Sequence, residues 1–136
     1  DRLEYRCEWD GMHFRVWDTG GVIGLEGATR GRDALLKAVE LQVREAVRRA
    51  SVVLFMVDGR KGLTGADEEL ARIMRKLEKP VLLGVNKIEE PDRMREEVAE
   101  FWTLGLGEPH GLSALHGSGT GDLLSRVVQR MGELED

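Results

Sequence analysis

The sequence predicts an α/β domain of three layers, with a mostly parallel sheet covered by helices on both faces. Three observations carry that class. Two short, continuously apolar runs, "VVLFMV" ending at Val57 and "VLLGV" ending at Val85, have the composition of parallel strands buried on both faces. Around them lie stretches whose apolar residues recur at helical spacing. Polar signatures fall where the strands stop, and open parallel sheets bind ligands at the carboxyl ends of their strands.

The elements follow in order. Residues 3–9 and 12–17 alternate in character around Asp10-Gly11, a dipeptide suited to the positive φ angles of a tight turn, so 3–17 reads as a hairpin. A glycine-rich polar segment runs from 18 to 32. From Asp33 to Ala50, Leu35, Leu36, Val39, Val43, Ala46 and Val47 share one helical face. The strand ending at Asp58 comes next, then a helix with Thr64 as N-cap that runs to about Leu77. Pro80 precedes the strand "VLLGVNK", and a third helix is expected from Pro91 to about Leu104. "PHGLSA" supplies a short last strand and "GTGDLLSRVVQRM" the last helix. One domain over 1–136 is therefore expected, with βα units filling 33–134.

Composition narrows the function classes. The 136 residues are 41% hydrophobic and 33% charged, as in a soluble globular protein. The net charge of −5 provides no overall basic field, so neither direct DNA binding nor attachment to an anionic membrane is expected. The longest apolar run, at 51–57, is far short of the ~20 residues that span a bilayer. Cys7 is the only cysteine, which excludes an internal disulfide and fits a reducing, cytoplasmic compartment. The opening "DRLEYRCEWDG" has neither an initiator Met nor a signal-peptide pattern and reads as though it begins mid-protein.

Three strand ends carry chemistry. At Asp18-Thr19-Gly20-Gly21, the carboxylate could hold magnesium, which prefers hard oxygen ligands, and Gly21 lets a backbone N–H approach a phosphate. The plain alternative is a glycine turn with a solvated acid. At Asn86-Lys87-Ile88-Glu89, the amide could tie neighbouring loops together and the lysine stem could cover a flat base. The acid could accept the N1–H and amino group of a guanine, a pair that adenine does not present. The alternative there is a polar loop leaving a strand. At Ser113-Ala114-Leu115, backbone N–H groups could meet a base carbonyl, although three such residues alone carry little weight.

In this order, DxxG, NKx(acid) and SA resemble the GTP-binding domains of translation-factor-class GTPases. "DGRKGLTGAD" and "SALHGSGTGDLL" sharpen the resemblance to the first of the two tandem GTPase domains of the Der (EngA) family, across essentially all 136 residues. The resemblance implies a P-loop-GTPase-like fold that turns GTP into GDP with Mg2+, with K+ as a further ion, and a role in assembling the large ribosomal subunit. It assigns nucleotide contact to Asp18, Thr19, Gly20, Gly21, Val22, Asn86, Lys87, Ile88, Glu89, Ser113, Ala114 and Leu115, and magnesium to Asp18. No catalytic role falls to Val22, which stands where Ras-like GTPases place a water-orienting glutamine.

The sequence departs from the pattern in three ways. No GxxxxGK[ST] is present, so the phosphate-cradling loop, with the central strand and helix that carry it, is expected to be missing and the chain alone to be inactive. Glu89 stands in place of the family's Asp, and Trp17 replaces a smaller aliphatic residue before Asp18. Two other classes stay open: a non-catalytic binding module, and a receiver-like signalling domain with Asp58 as phosphate acceptor. His13, His110 and His116 show no metal-ligand spacing.

Overall fold

A computed structural model describes residues 3–18 and 32–135. The chain divides into two compact units, Asp1–Ala50 and Ser51–Asp136.

In the first unit, strands β1 (Leu3–Trp9) and β2 (Met12–Asp18) pair antiparallel, in register from Leu3 opposite Asp18 to Trp9 opposite Met12. Asp10 and Gly11 have φ of 51° and 80°, the paired positive angles of a primed hairpin turn, whose twist matches that of the strands. The Glu8 carboxylate accepts the Gly11 N–H at 3.2 Å. Helix α1 (Arg32–Ala46) buries Val39 and Val43, the middle of the expected apolar stripe, and gives way to turns before the expected end at Ala50.

The second unit is built on a parallel sheet of β3 (Val53–Asp58), β4 (Val81–Asn86) and β5 (Pro109–Gly111), in the order β3-β4-β5. Helix α2 (Gly65–Lys76) joins β3 to β4 and begins at a full capping box. Thr64 accepts the Asp67 N–H at 3.1 Å, and Asp67 accepts the Thr64 N–H at 3.1 Å. Helix α3 (Met94–Val98) lies between a 3-10 turn at Pro91–Arg93 and a 3-10 stretch at Ala99–Leu104. Helix α4 (Thr120–Glu135) closes the unit.

The third helix is thus three short pieces rather than one. With three residues per turn, 3-10 winding puts Phe101 and Leu104 on the same side, and both are buried while Trp102 and Thr103 face out. Gly105, at φ 72°, ends the run in the left-handed region.

Helices cover this sheet on both faces. A Cβ at Gly84 would lie 2.5 Å from Met56 Sδ and 3.4 Å from Leu123 Cδ2, which places α4 on that face. Gly111 is the register partner of Val85, so it points to the opposite face, where it meets Met94 and Val98 of α3. Phe101, Leu83, Ile88, Leu104 and Val85 are fully buried, and each side chain of this size contributes about 1.5–3 kcal/mol on burial.

A further expectation is corrected. β3 is not buried on both faces: Val53, Phe55 and Val57 are buried, but Leu54 and Met56 remain 41% and 39% exposed. They share the face of Gly84, where Leu123 of α4 reaches β4, and β3 is an end strand of the three-stranded sheet.

Candidate functional site

Parallel pairing puts the carboxyl ends of β3, β4 and β5 along one rim. Asp58 and Asn86 are register partners at the last positions of β3 and β4. The rim is stitched by backbone bonds: Gly59 N–H to Asn86 O at 2.7 Å, Leu112 N–H to Val85 O at 2.9 Å, and Ile88 N–H to Leu112 O at 3.0 Å. Through these bonds the strand-end loops are held as one surface.

Asn86 and the Ser113–Leu115 loop meet directly. Asn86 Oδ1 accepts the Ala114 N–H at 3.0 Å, although 28 residues separate them in the chain. Ser113 is only 2% exposed; its N–H donates to Ser118 O at 2.8 Å, and its hydroxyl accepts the His116 N–H at 3.3 Å. Gly117 and Gly119, with φ of 76° and 75°, let the chain double back into helix α4. Leu115 projects from this loop at 89% exposure.

The four residues of the Asn86 stretch divide by role. Ile88 is fully buried and anchors the loop into the core, so its side chain is not presented to solvent. Asn86 is half-buried, and Lys87 and Glu89 are exposed on the rim. Lys87 has φ 68°, the left-handed region that costs a non-glycine residue about 1 kcal/mol or more and that clusters at functional sites. The amides of Ser113 and Ala114, expected to face a base carbonyl, are both engaged inside the protein.

Sequence reasoning assigned Asp58 no place in a nucleotide site, yet it faces Lys87. The Lys87 ammonium donates to Asp58 Oδ2 at 2.9 Å, while Asp58 Oδ1 accepts the N–H groups of Arg60 and Lys61 at 2.9 and 3.3 Å. The Lys87 hydrogen bond, followed by those two backbone donors, holds the Asp58 carboxyl below its usual range against the opposing effect of desolvation. The one sequence signal was a polar residue ending an apolar strand.

Asp18 closes β2 in the first unit, whereas Thr19, Gly20, Gly21 and Val22 lie outside the described residues. No group of three or more His, Cys, Asp or Glu that could hold a metal occurs among the described residues. An ion held by one carboxylate, nucleotide phosphates and water needs no such group. No helix among the described residues is long and apolar enough to cross a membrane.

Solved structures share this fold. Era, in a complex with MgGDPNP and a segment of 16S ribosomal RNA, superposes with a TM-score of 0.72 at 21% identity, over 95% of this chain and 44% of that one. A probable GTP-binding protein, EngB, gives a TM-score of 0.66 at 17% identity, over 95% of this chain and 82% of that one. The fold is that of the P-loop GTPases, even though the sequence contains no phosphate-loop motif.

The family follows from sequence. A family model described as 50S ribosome-binding GTPase matches residues 1–87, and the chain belongs to that family. GTPase Der of Gloeobacter violaceus is 46% identical over 128 residues, which cover 94% of this chain and 27% of that protein. GTPase Der of Nostoc punctiforme is 43% identical over 136 residues, covering 100% of this chain and 29% of that protein. The resemblance to Der is borne out along the whole chain, which spans under a third of the length of these relatives. Membership in a GTPase family sets the receiver-like alternative aside.

Proposed function

We propose that the rim formed by Asn86–Glu89 and Ser113–Leu115 is the base-recognition half of a GTP site, in a domain that acts through the large ribosomal subunit. The observation that carries this reading is the Asn86–Ala114 hydrogen bond, which joins two segments far apart in sequence at the carboxyl ends of adjacent parallel strands. Open parallel sheets bind their ligands at that edge.

In this reading the exposed Glu89 carboxylate accepts the two guanine donors, and the Lys87 stem lies against the ring. The base carbonyl shares the Ala114 amide with Asn86 or takes that of Leu115. On the Der resemblance, Asp18, Thr19, Gly20, Gly21 and Val22 contact the nucleotide, Asp18 through magnesium. A bound magnesium would be held there by the Asp18 carboxylate, where it would neutralise phosphate charge. Potassium is a second ion suggested by the Der resemblance alone.

The phosphate loop is what this sequence lacks. A phosphate loop supplies several backbone N–H groups and a lysine to a highly charged ligand, and no such motif occurs in these 136 residues. The chain on its own therefore binds GTP weakly and does not hydrolyse it; GTPase activity, coupling to ribosome assembly and a cytoplasmic location belong to a whole Der-type protein. Calorimetry with GTP and magnesium tests this division. Heat of weak but measurable binding is expected, and micromolar affinity for this chain would show that the rim alone suffices.

A non-catalytic binding module remains the second reading, favoured by the same missing motif. It predicts no preference for guanine over adenine at the rim.

A further inference from the structure

Asp58 does more than end a strand. It accepts from the N–H groups of Arg60 and Lys61 through one oxygen, which fixes the carboxylate on the turn that leaves β3. Its other oxygen meets the Lys87 ammonium at 2.9 Å, reaching 29 residues along the chain to the loop that leaves β4. The two loops are also joined by Gly59 N–H to Asn86 O at 2.7 Å. That approach is close enough that a Cβ at Gly59 would fall 2.6 Å from Ile88 Cδ1 and 2.8 Å from Asn86 O.

Lys87 therefore has both ends constrained. Its backbone leaves β4 in the left-handed region at φ 68°, and its ammonium is drawn back to the end of β3. Between those points the stem is laid along the rim with 46% of the side chain still exposed. A lysine held this way presents a fixed strip of methylenes to solvent rather than a freely rotating chain. A free lysine would lose rotamer entropy on packing against a ligand, and one already held loses less.

We propose that Asp58 is a positioning residue for nucleotide binding: it anchors the Lys87 ammonium so that the stem forms a preformed wall for the base. This rests on the reading of the rim as a guanine site. Asp58 touches Lys87 and not the nucleotide, and it acts through that side chain alone.

Asp58→Asn is the informative variant, because an amide oxygen still accepts the Arg60 and Lys61 N–H groups while the negative charge is lost. The probe is GDP, with ADP as control, titrated into the 136-residue chain and followed by NMR of the Lys87 side-chain ammonium and methylenes. Wild type should show a slowly exchanging Lys87 ammonium and methylene shifts that respond to GDP more than to ADP. Asp58→Asn should stay folded, with at most a small fall in thermal midpoint, and lose the ammonium signal. It should also bind GDP about two- to fivefold more weakly, the change expected from a part-exposed ion pair. An unchanged GDP response in Asp58→Asn overturns the role of Asp58 while leaving the guanine site in place. A Lys87 ammonium that is anchored in wild type but never responds to GDP overturns the guanine reading, and the role of Asp58 with it.

Discussion

Asn86 Oδ1 accepts the backbone N–H of Ala114 at 3.0 Å, so the loop after β4 and the loop after β5 are set by one side chain. Deleting this acceptor should loosen the Ser113–Leu115 loop without dissolving the sheet. Asn86→Ala is expected to cost about 0.5–1.5 kcal/mol, the net worth of one such bond. Amide hydrogen exchange checks it: Ala114 should lose protection while Leu112, bonded to Val85 O, keeps its own.

Gly59 and Gly65 make opposite predictions from the same chemistry. A Cβ at Gly59 has no room against Ile88, Asn86 and Val85, so Gly59→Ala should destabilise by about 1–3 kcal/mol. Gly65 opens helix α2 with nothing within 4 Å of its Cβ position, so Gly65→Ala should be neutral or stabilise by up to about 1 kcal/mol. Urea denaturation of the two variants is the measurement, and equal effects would contradict the packing described for the rim.

His110, in β5, adds a pH dependence. Burial pushes its imidazole below the usual value of 6.5; Glu108 opposes that shift and Arg126 reinforces it. The unfolded chain therefore binds a proton at a pH where the folded chain does not. Stability should fall as pH drops below about 6.5 and stop falling once the folded imidazole is also protonated. In His110→Gln the slope across that window should flatten, as read from thermal midpoints between pH 7 and pH 5 on the usual scale of histidine titration.

Much of this architecture was legible in the sequence because its signals are local. Asp10-Gly11 encodes its turn by backbone preference, Thr64 and Asp67 encode a helix start three residues apart, and the apolar runs mark β3 and β4. Where the expectation failed, the deciding information was tertiary. The 3-10 winding at Ala99–Leu104 follows from what Phe101 and Leu104 must bury, which helical periodicity alone does not reveal. Leu54 and Met56 looked like any other core residues until α4 was seen to meet the sheet at Gly84.

The site was legible to a similar degree. Asn86 and Ser113 could be placed at strand ends from pattern, but the Asp58–Lys87 pair could not, because 29 residues separate partners whose meeting depends on the register of β3 with β4. The engagement of the Ser113 and Ala114 amides within the protein was equally invisible, since a loop's internal bonding leaves no periodic trace.

Glu89 should decide which base is accepted. In a protein that carries this domain together with a phosphate loop, Glu89→Ala would leave the guanine donors without an acceptor, at about 1–3 kcal/mol if they are desolvated. Glu89→Asp should hold or improve affinity by restoring the carboxylate of the Der pattern. Competition of GTP against ATP in the three forms checks both, and an identical preference in all of them would remove Glu89 from base reading.

The most direct measurement is backbone amide shift mapping of the 136-residue chain with GDP and, separately, ADP. If the rim is a guanine site, GDP should move the amides of Asn86–Glu89 and Ser113–Leu115, with Asn86 and Ala114 changing together, and ADP should move them far less. Shifts of equal size with both nucleotides, or shifts that avoid these two segments, would contradict it.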